Sequence, residues 1–268
     1  MFPQSSFFDV PVQMRQTSAG EVPLPILYYD TSAVLLFFET DLNHVLPKME
    51  GTGLNVFSTR PNKTLVGLAL FEYRQTGVGV YNEVGLGALV SPDQSHNLLS
   101  LAPQLLKDST KRDFGFFIMN LPVTTPEANA AGREIWGYPK FVTDITFLLE
   151  RNTVECRVAD PVHGEICYLG GKFWPGVSLP GMDMITYSHH DGSIVKTIVN
   201  VNASFTHHLN RNVTLRVGHS HHIMAQNLRD LGLDQAKPVL IQATHTFQSR
   251  LNEGIPLRKW SHKPVIFE

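Results

Sequence analysis

GVYNEVGLGALV, residues 79–90, reads with a period of two. Tyr81, Glu83, Gly85 and Gly87 share one side of an extended segment, and Val84, Leu86 and Ala88 share the other. Runs of the same kind fill the chain: SAVLLFFE (32–39), TLVGLALFEY (64–73), DFGFFIMNLPV (113–123), KFVTDITFLLE (140–150), TVECRVA (153–159), EICYLGGKF (165–173), SIVKTIVNVNASF (193–205), NVTLRVG (212–218) and KPVLIQATHTF (237–247). Each is rich in β-branched and aromatic residues and bounded by Gly, Pro, Asn or Asp. About ten strands at short spacing predict a mainly β protein with a few helices, an antiparallel β-barrel or double-sheet sandwich. No Ser/Gly/Pro linker divides the chain, so residues 1–268 are read as a single domain.

Helical signals are few. TTPEANAAGREIW (124–136) offers Thr125 as N-cap, Pro126 at the first helical position and Glu127 in the first turn, with an end near Gly137. SHHIMAQNLRDLGL (220–233) puts Met224, Leu228 and Leu231 on one face and stops at Gly232. TDLNHVLP opens with the cap-like pair Thr40–Asp41, and residues 91–111 carry a partly helical pattern.

Composition excludes several classes of function. With 22 Lys and Arg against 24 Asp and Glu, the net charge is −2, so there is no basic field for nucleic acid. Hydrophobic residues make up 43% and charged residues 17%, which suits a globular core and not disorder. AVLLFF (33–38) is too short to cross a bilayer, and the first residues lack the pattern of a secretory leader. The expectation is a cytoplasmic protein with no membrane partner. Cys156 and Cys167 flank a predicted turn at ADPVHGE and are expected as free buried thiols.

Two segments carry candidate chemistry. Glycine inside a strand marks either a close approach by a ligand or backbone, or a bulge at a barrel corner. Gly85 and Gly87 beside Glu83 admit both readings. The second segment, GREIWGYPKF (132–141), ends with Lys140 between Pro139 and Phe141. Desolvation disfavours an ammonium, and a neutral lysine attacks carbonyl carbon. The competing reading is a strand-end lysine whose head reaches water.

Twelve histidines include the clusters His189–His190, His207–His208 and His219, His221, His222. An H-x-H pair on a strand suits a metal barrel, but no glutamate follows it, and the cysteines form no C-x-x-C. The expectation is no metal and no cofactor. His222 and His245 stand as possible proton donors near the lysine.

GREIWGYPKF resembles the signature of the acetoacetate decarboxylase family, and GVYNEVGLGALV resembles that family's Y-x-E segment. HHIMAQNLRDLGL is similar to a C-terminal helix of the same family. The resemblance spans about residues 25–250. It implies that Lys140 forms a Schiff base, that Glu83 lines the site, and that the protein is a homo-oligomer. Three features depart from the family pattern. Phe141 stands where a second lysine is expected. Thr31 falls at the place of an arginine that handles the substrate carboxylate, and Leu68 at that of a second glutamate. Arg60 and Arg74 are the nearest candidates to replace the arginine.

A neutral Lys140 amine condenses with a ketone or aldehyde to give an iminium, an electron sink for a bond breaking at the next carbon. Glu83 is the candidate proton shuttle, a role typically worth about 10²–10⁴-fold. The resulting expectation is a carbon–carbon lyase acting on a small-molecule keto substrate. Decarboxylation of a β-keto acid leads, including a bulky, polyketide-like one from secondary metabolism. Aldolase, dehydratase or cyclase activity and a non-catalytic binding barrel are the alternatives. Tyr81, Trp136, Tyr138 and Phe141 are the expected substrate-binding aromatics, with core packing as their ordinary role.

Overall fold

A computed structural model describes residues 6–92, 103–104 and 106–259. Strands dominate, and seven of them close into a barrel within a larger sheet. In order around the barrel these are Ile26–Asp41, Lys63–Thr76, Tyr81–Ser91, Gly115–Val123, Met184–His190, Ser193–Asn202 and Gln248–Leu251, which pairs back onto the first. All the barrel pairs are antiparallel except Gly115–Val123 with Met184–His190. Closure removes the free edges that an open sheet would expose.

Within the large sheet the strand Tyr81–Ser91 is buried on both faces, whereas Lys63–Thr76 alternates buried and half-buried residues. One core contains Val34, Leu36, Phe38, Leu68, Leu70, Val84, Leu86 and Val90. A second sheet of four strands covers it, in the order Thr214–Val217, Glu165–Lys172, Thr153–Ala159, Ile145–Glu150. The helix Ile223–Asp230 adds Met224, Ala225 and Leu228 to the same core. The other core contains Tyr28, Ala33, Phe71, Tyr73, Tyr81, Leu121 and Val123, with Ala128, Ala131 and Trp136 from the helix Pro126–Trp136.

The expected double-sheet, mainly β architecture with a few helices is what the chain adopts. Two of the expected strands are each divided. KFVTDITFLLE breaks after Val142: Lys140–Val142 joins the large sheet, parallel to Gly115–Val123, while Ile145–Glu150 joins the four-stranded sheet. Thr143 makes the crossing, donating its N–H to Val123 O and its hydroxyl to Ala159 O. SIVKTIVNVNASF likewise divides at Ala203. Strands Gln13–Thr17, Gly20–Leu24, Val177–Pro180, Met184–His190, Gln248–Leu251 and Ile255–Lys259 were not expected, because they are short and mostly polar, proline-containing or weakly apolar.

The helix Pro126–Trp136 has the expected cap: Thr125 Oγ1 accepts from Ala128 N at 3.4 Å. It ends at Gly137 in the left-handed region, φ 65°. The third helix begins at Ile223 and not Ser220, since His222 Nδ1 accepts from Met224 N and so serves as the cap. Thr40–Asp41 precedes the helix Leu42–Met49 as expected. The helical pattern at 91–111 lies largely outside the described residues. Both cysteines are free and buried; burial pushes the Cys167 thiol up to about 12 and raises Cys156 as well. No helix among the described residues is long and apolar enough to cross a membrane.

Candidate active site

Three pieces of chain meet at Lys140. The first is its own short strand, whose Cα register places Lys140 opposite Leu121. The second is the strand Tyr81–Ser91, where Glu83 stands between Phe71 and Val123 on the neighbouring strands. The third is the helix Pro126–Trp136. Arg133 in its last turn donates to the Lys140 carbonyl at 2.8 Å and so fixes the start of the strand. Gly137 turns the chain sharply enough to return Lys140 beside the helix that precedes it; its own amide donates to Arg133 O.

The lysine side chain runs along the helix over Gly132. A Cβ at that residue would stand 3.2 Å from Lys140 Cγ and nearer still to Cδ and Cε, so a methyl group there would have to displace the lysine. Glycine at 132 therefore makes the slot in which the lysine lies. At its end Lys140 Nζ meets Glu83 Oε2 at 2.5 Å, with side chains only 6% and 10% exposed. Buried charges demand such a partner.

Tyrosines surround the pair. Tyr73 donates its hydroxyl to Glu83 Oε1 at 3.4 Å. The hydroxyls of Tyr28 and Tyr81 lie 3.2 Å apart, and Lys140 Nζ stands 5.7 Å from the Tyr81 ring centre. Tyr138 shares a 2.6 Å hydrogen bond with Thr186. Burial, reinforced by the charge of Glu83, holds the hydroxyls of Tyr28 and Tyr73 well above the ordinary tyrosine range. Burial and then the neighbouring Tyr28 do the same for Tyr81. Tyr138 is pushed up to about 12, mainly by burial. All four remain protonated donors at any working pH. Tyr28, Tyr81, Trp136, Tyr138, Gly132 and Lys140 line a cavity of about 10 Å³, completed by Ile26, Val78, Ala128, Ala131 and Leu251. That is room for about one water-sized group.

Of the aromatics expected here, Tyr81, Trp136 and Tyr138 line the cavity and Phe141 does not. Strand alternation turns Phe141 to the opposite face, where its ring lies 4.3 Å from that of His222, against the other core. His222 is therefore on the far side, and His245 sits beside Ser32 and Arg74. Arg60 is paired with Glu39, and Arg74 with Asp30 and Glu72. Neither is in the cavity wall, so neither fills the place of a carboxylate-binding arginine. Leu68 belongs to the other core, and Thr31 is a fully buried neutral hydroxyl. Glu134 does not pair with Arg133; it accepts from the Ser18 amide and hydroxyl, tying the helix to the hairpin Gln13–Leu24.

The two glycines after Glu83 stand outside the cavity wall and make room for a neighbouring strand. Gly85 admits Leu121 Cδ1, 3.1 Å from where a Cβ would be, and Gly87 admits Phe117 O at 2.9 Å, next to a register shift between Leu86 and Gly87. Tyr28 and Tyr73 were missed in the sequence. Tyr73 shares the two-residue period of Phe71 and faces Glu83 across a hairpin, whereas nothing local ties Tyr28 to the site. Among the described residues no group of three or more His, Cys, Asp or Glu could hold a metal ion.

A family model described as acetoacetate decarboxylase matches residues 9–167. No curated protein matches the chain. Several solved structures share its fold, among them the following three. The acetoacetate decarboxylase from Legionella pneumophila subsp. pneumophila str. Philadelphia 1 superimposes with TM-score 0.62 at 14% identity, covering 95% of each chain. The enduracididine biosynthesis enzyme MppR, complexed with pyruvate, gives 0.60 at 9% identity, over 89% of this chain and 92% of that one. An acetoacetate decarboxylase-like enzyme from Sphingomonas wittichii RW1 gives 0.59 at 13%, over 87% and 92%. At such identities the likeness is one of fold.

Proposed function

The chain belongs to the acetoacetate decarboxylase family, and we propose that it is a carbon–carbon lyase that holds a small keto compound as a Schiff base on Lys140. The observation that carries this reading is the buried 2.5 Å pair of Lys140 Nζ and Glu83 Oε2 at the end of the Gly132 slot. Lysine and carboxylate in contact are a nucleophile and the base that frees it.

Proton transfer from the ammonium to Glu83 leaves a neutral amine beside a neutral acid. The amine adds to the carbonyl carbon, Glu83 returns the proton to the carbinol oxygen, and water leaves. The iminium then accepts the electron pair of the bond breaking at the next carbon, giving an enamine; after aldol cleavage Glu83 protonates it with the proton taken from the β-hydroxyl, and after loss of CO2 the proton comes from water. Two substrate types fit this sequence: a β-keto acid, which loses CO2, and a β-hydroxy ketone, which undergoes aldol cleavage. Tyr81, Trp136 and Tyr138 are assigned to substrate contact, and Phe141 to the opposite core.

Borohydride trapping tests the reading. The protein is incubated with acetone, acetoacetate and larger ketones and aldehydes, reduced, and mapped by peptide mass spectrometry, with Lys140→Ala as control. A selective adduct on Lys140 is expected. Its absence across the panel, with Lys140 no more reactive than surface lysines, would sink the enzyme reading and leave a binding barrel.

A further inference from the structure

Among the described residues, Lys140 is the only charged side chain in the cavity wall, and its partner Glu83 neutralises it from behind that wall. Arg133 lies outside the cavity wall, with its guanidinium on the Lys140 carbonyl. Arg15 is paired with Glu253, Arg60 with Glu39, and Arg74 with Asp30 and Glu72. What the wall offers instead is neutral oxygen chemistry. The Tyr28 and Tyr81 hydroxyls carry two protons between them, and their mutual hydrogen bond uses one. One O–H remains to donate to a ligand. Tyr73 spends its proton on Glu83.

Building on the Schiff-base reading above, we propose that this site takes an uncharged keto compound, a β-hydroxy ketone or the ketone and aldehyde that form it, and discriminates against β-keto acid anions. Tyr28 and Tyr81 are the specificity-determining residues.

The charge balance explains the preference. With an uncharged substrate the pair runs from ammonium and carboxylate, through amine and acid, to iminium and carboxylate. The Glu83 carboxylate then takes the β-hydroxyl proton, the Cα–Cβ bond breaks into the iminium, and an aldehyde departs. Enamine and carboxylic acid remain. Protonation of the enamine carbon by Glu83 restores iminium and carboxylate, and water releases the ketone and the lysine. The sum of charges in the site is zero at every step. A β-keto acid anion adds one negative charge that no cation of the wall balances among the described residues, and loss of neutral CO2 leaves enamine and carboxylate, so the charge persists until a proton is taken from water. An unpaired buried carboxylate is strongly disfavoured. A hydroxyl or carbonyl oxygen needs only the donor that Tyr28 and Tyr81 supply.

The test uses 4-hydroxy-2-butanone, which cleaves to acetone and formaldehyde, against acetoacetate, which decarboxylates to acetone. Acetone release is followed for both, and Lys140 trapping by acetone is measured in parallel. The expected result is a kcat/KM about 100-fold higher for the hydroxy ketone. Tyr28→Phe and Tyr81→Phe should each lower that kcat/KM about tenfold relative to acetone trapping in the same variant. Acetoacetate turned over as well as the hydroxy ketone or better, with trapping intact, overturns the proposal and leaves the Schiff-base reading standing. Equal losses for hydroxy ketone and acetone in both tyrosine variants overturn the assignment of those residues. Failure of every ketone to trap at Lys140 removes the Schiff-base reading itself.

Discussion

Gly132 and Lys140 occupy one another's space: the lysine's methylenes fill the volume that any side chain at 132 would take. Alanine in a helix is ordinarily favoured over glycine by about 1 kcal/mol. Here the methyl group meets Lys140 Cδ and Cε, and overpacking of a filled core costs about 1–3 kcal/mol. Gly132→Ala is expected to lose stability on balance and to push Nζ away from Glu83. Urea denaturation reads the first effect. Borohydride trapping reads the second, as at least a tenfold loss of the Lys140 adduct.

The Lys140–Glu83 pair predicts a non-additive mutant cycle. Removing one partner strands the other's charge in a buried site, at a cost of about 3–5 kcal/mol. Lys140→Met and Glu83→Gln should each be destabilised on that scale, and the double variant should recover most of the loss. Denaturant midpoints of the four proteins check this. Simple additivity would show that the two side chains do not form a pair in solution.

Phe141 predicts an outcome opposite to the one its place in the sequence suggests. Supplying a lysine next to Lys140 would look like restoring an activating cation. Yet residue 141 faces His222 and the other core. Phe141→Lys should therefore leave the rate of Lys140 trapping within about twofold, while losing up to about 2 kcal/mol of packing. Trapping kinetics and thermal melts of the variant decide the matter.

Three histidines make stability fall in mild acid. His208, held by a 2.9 Å hydrogen bond from Nδ1 to Trp174 O, is lowered below its ordinary value by burial, as are His189 and His222. A lowered folded pKa means that the unfolded chain binds protons first. Stability is then full above the unfolded value of about 6.5 and declines as pH falls toward the folded values. Urea titrations between pH 7.5 and 5 should show this slope, and His208→Gln should flatten part of it. A pH-independent midpoint across that window would contradict the burial of these rings.

Much of this protein was legible in the sequence because the signals are local. Alternation in TLVGLALFEY and GVYNEVGLGALV, the Thr125–Pro126 cap and the Gly137 stop each depend on a few neighbouring residues, and each appears where expected. The Lys140–Glu83 pairing was available only through the resemblance of two motifs, since 57 residues separate the partners. Other features required the folded chain. Alternation at Phe141 could be counted, but which face of a three-residue strand meets the site depends on its parallel pairing with Gly115–Val123. The role of Gly85 and Gly87 as passages for neighbouring strands depends on those strands' register. Tyr73 reaches Glu83 across the hairpin that joins Lys63–Thr76 to Tyr81–Ser91, and Tyr28 meets Tyr81 because the strand Ile26–Asp41 pairs with the first of these two strands. The sequence by itself determined the long apolar strands, the helix cap at Thr125 and the candidate lysine, since propensity and periodicity act over a few residues. Only the tertiary structure decided what surrounds that lysine, a glycine slot and neutral tyrosines in place of a second cation, because burial and charge compensation are properties of segments brought together.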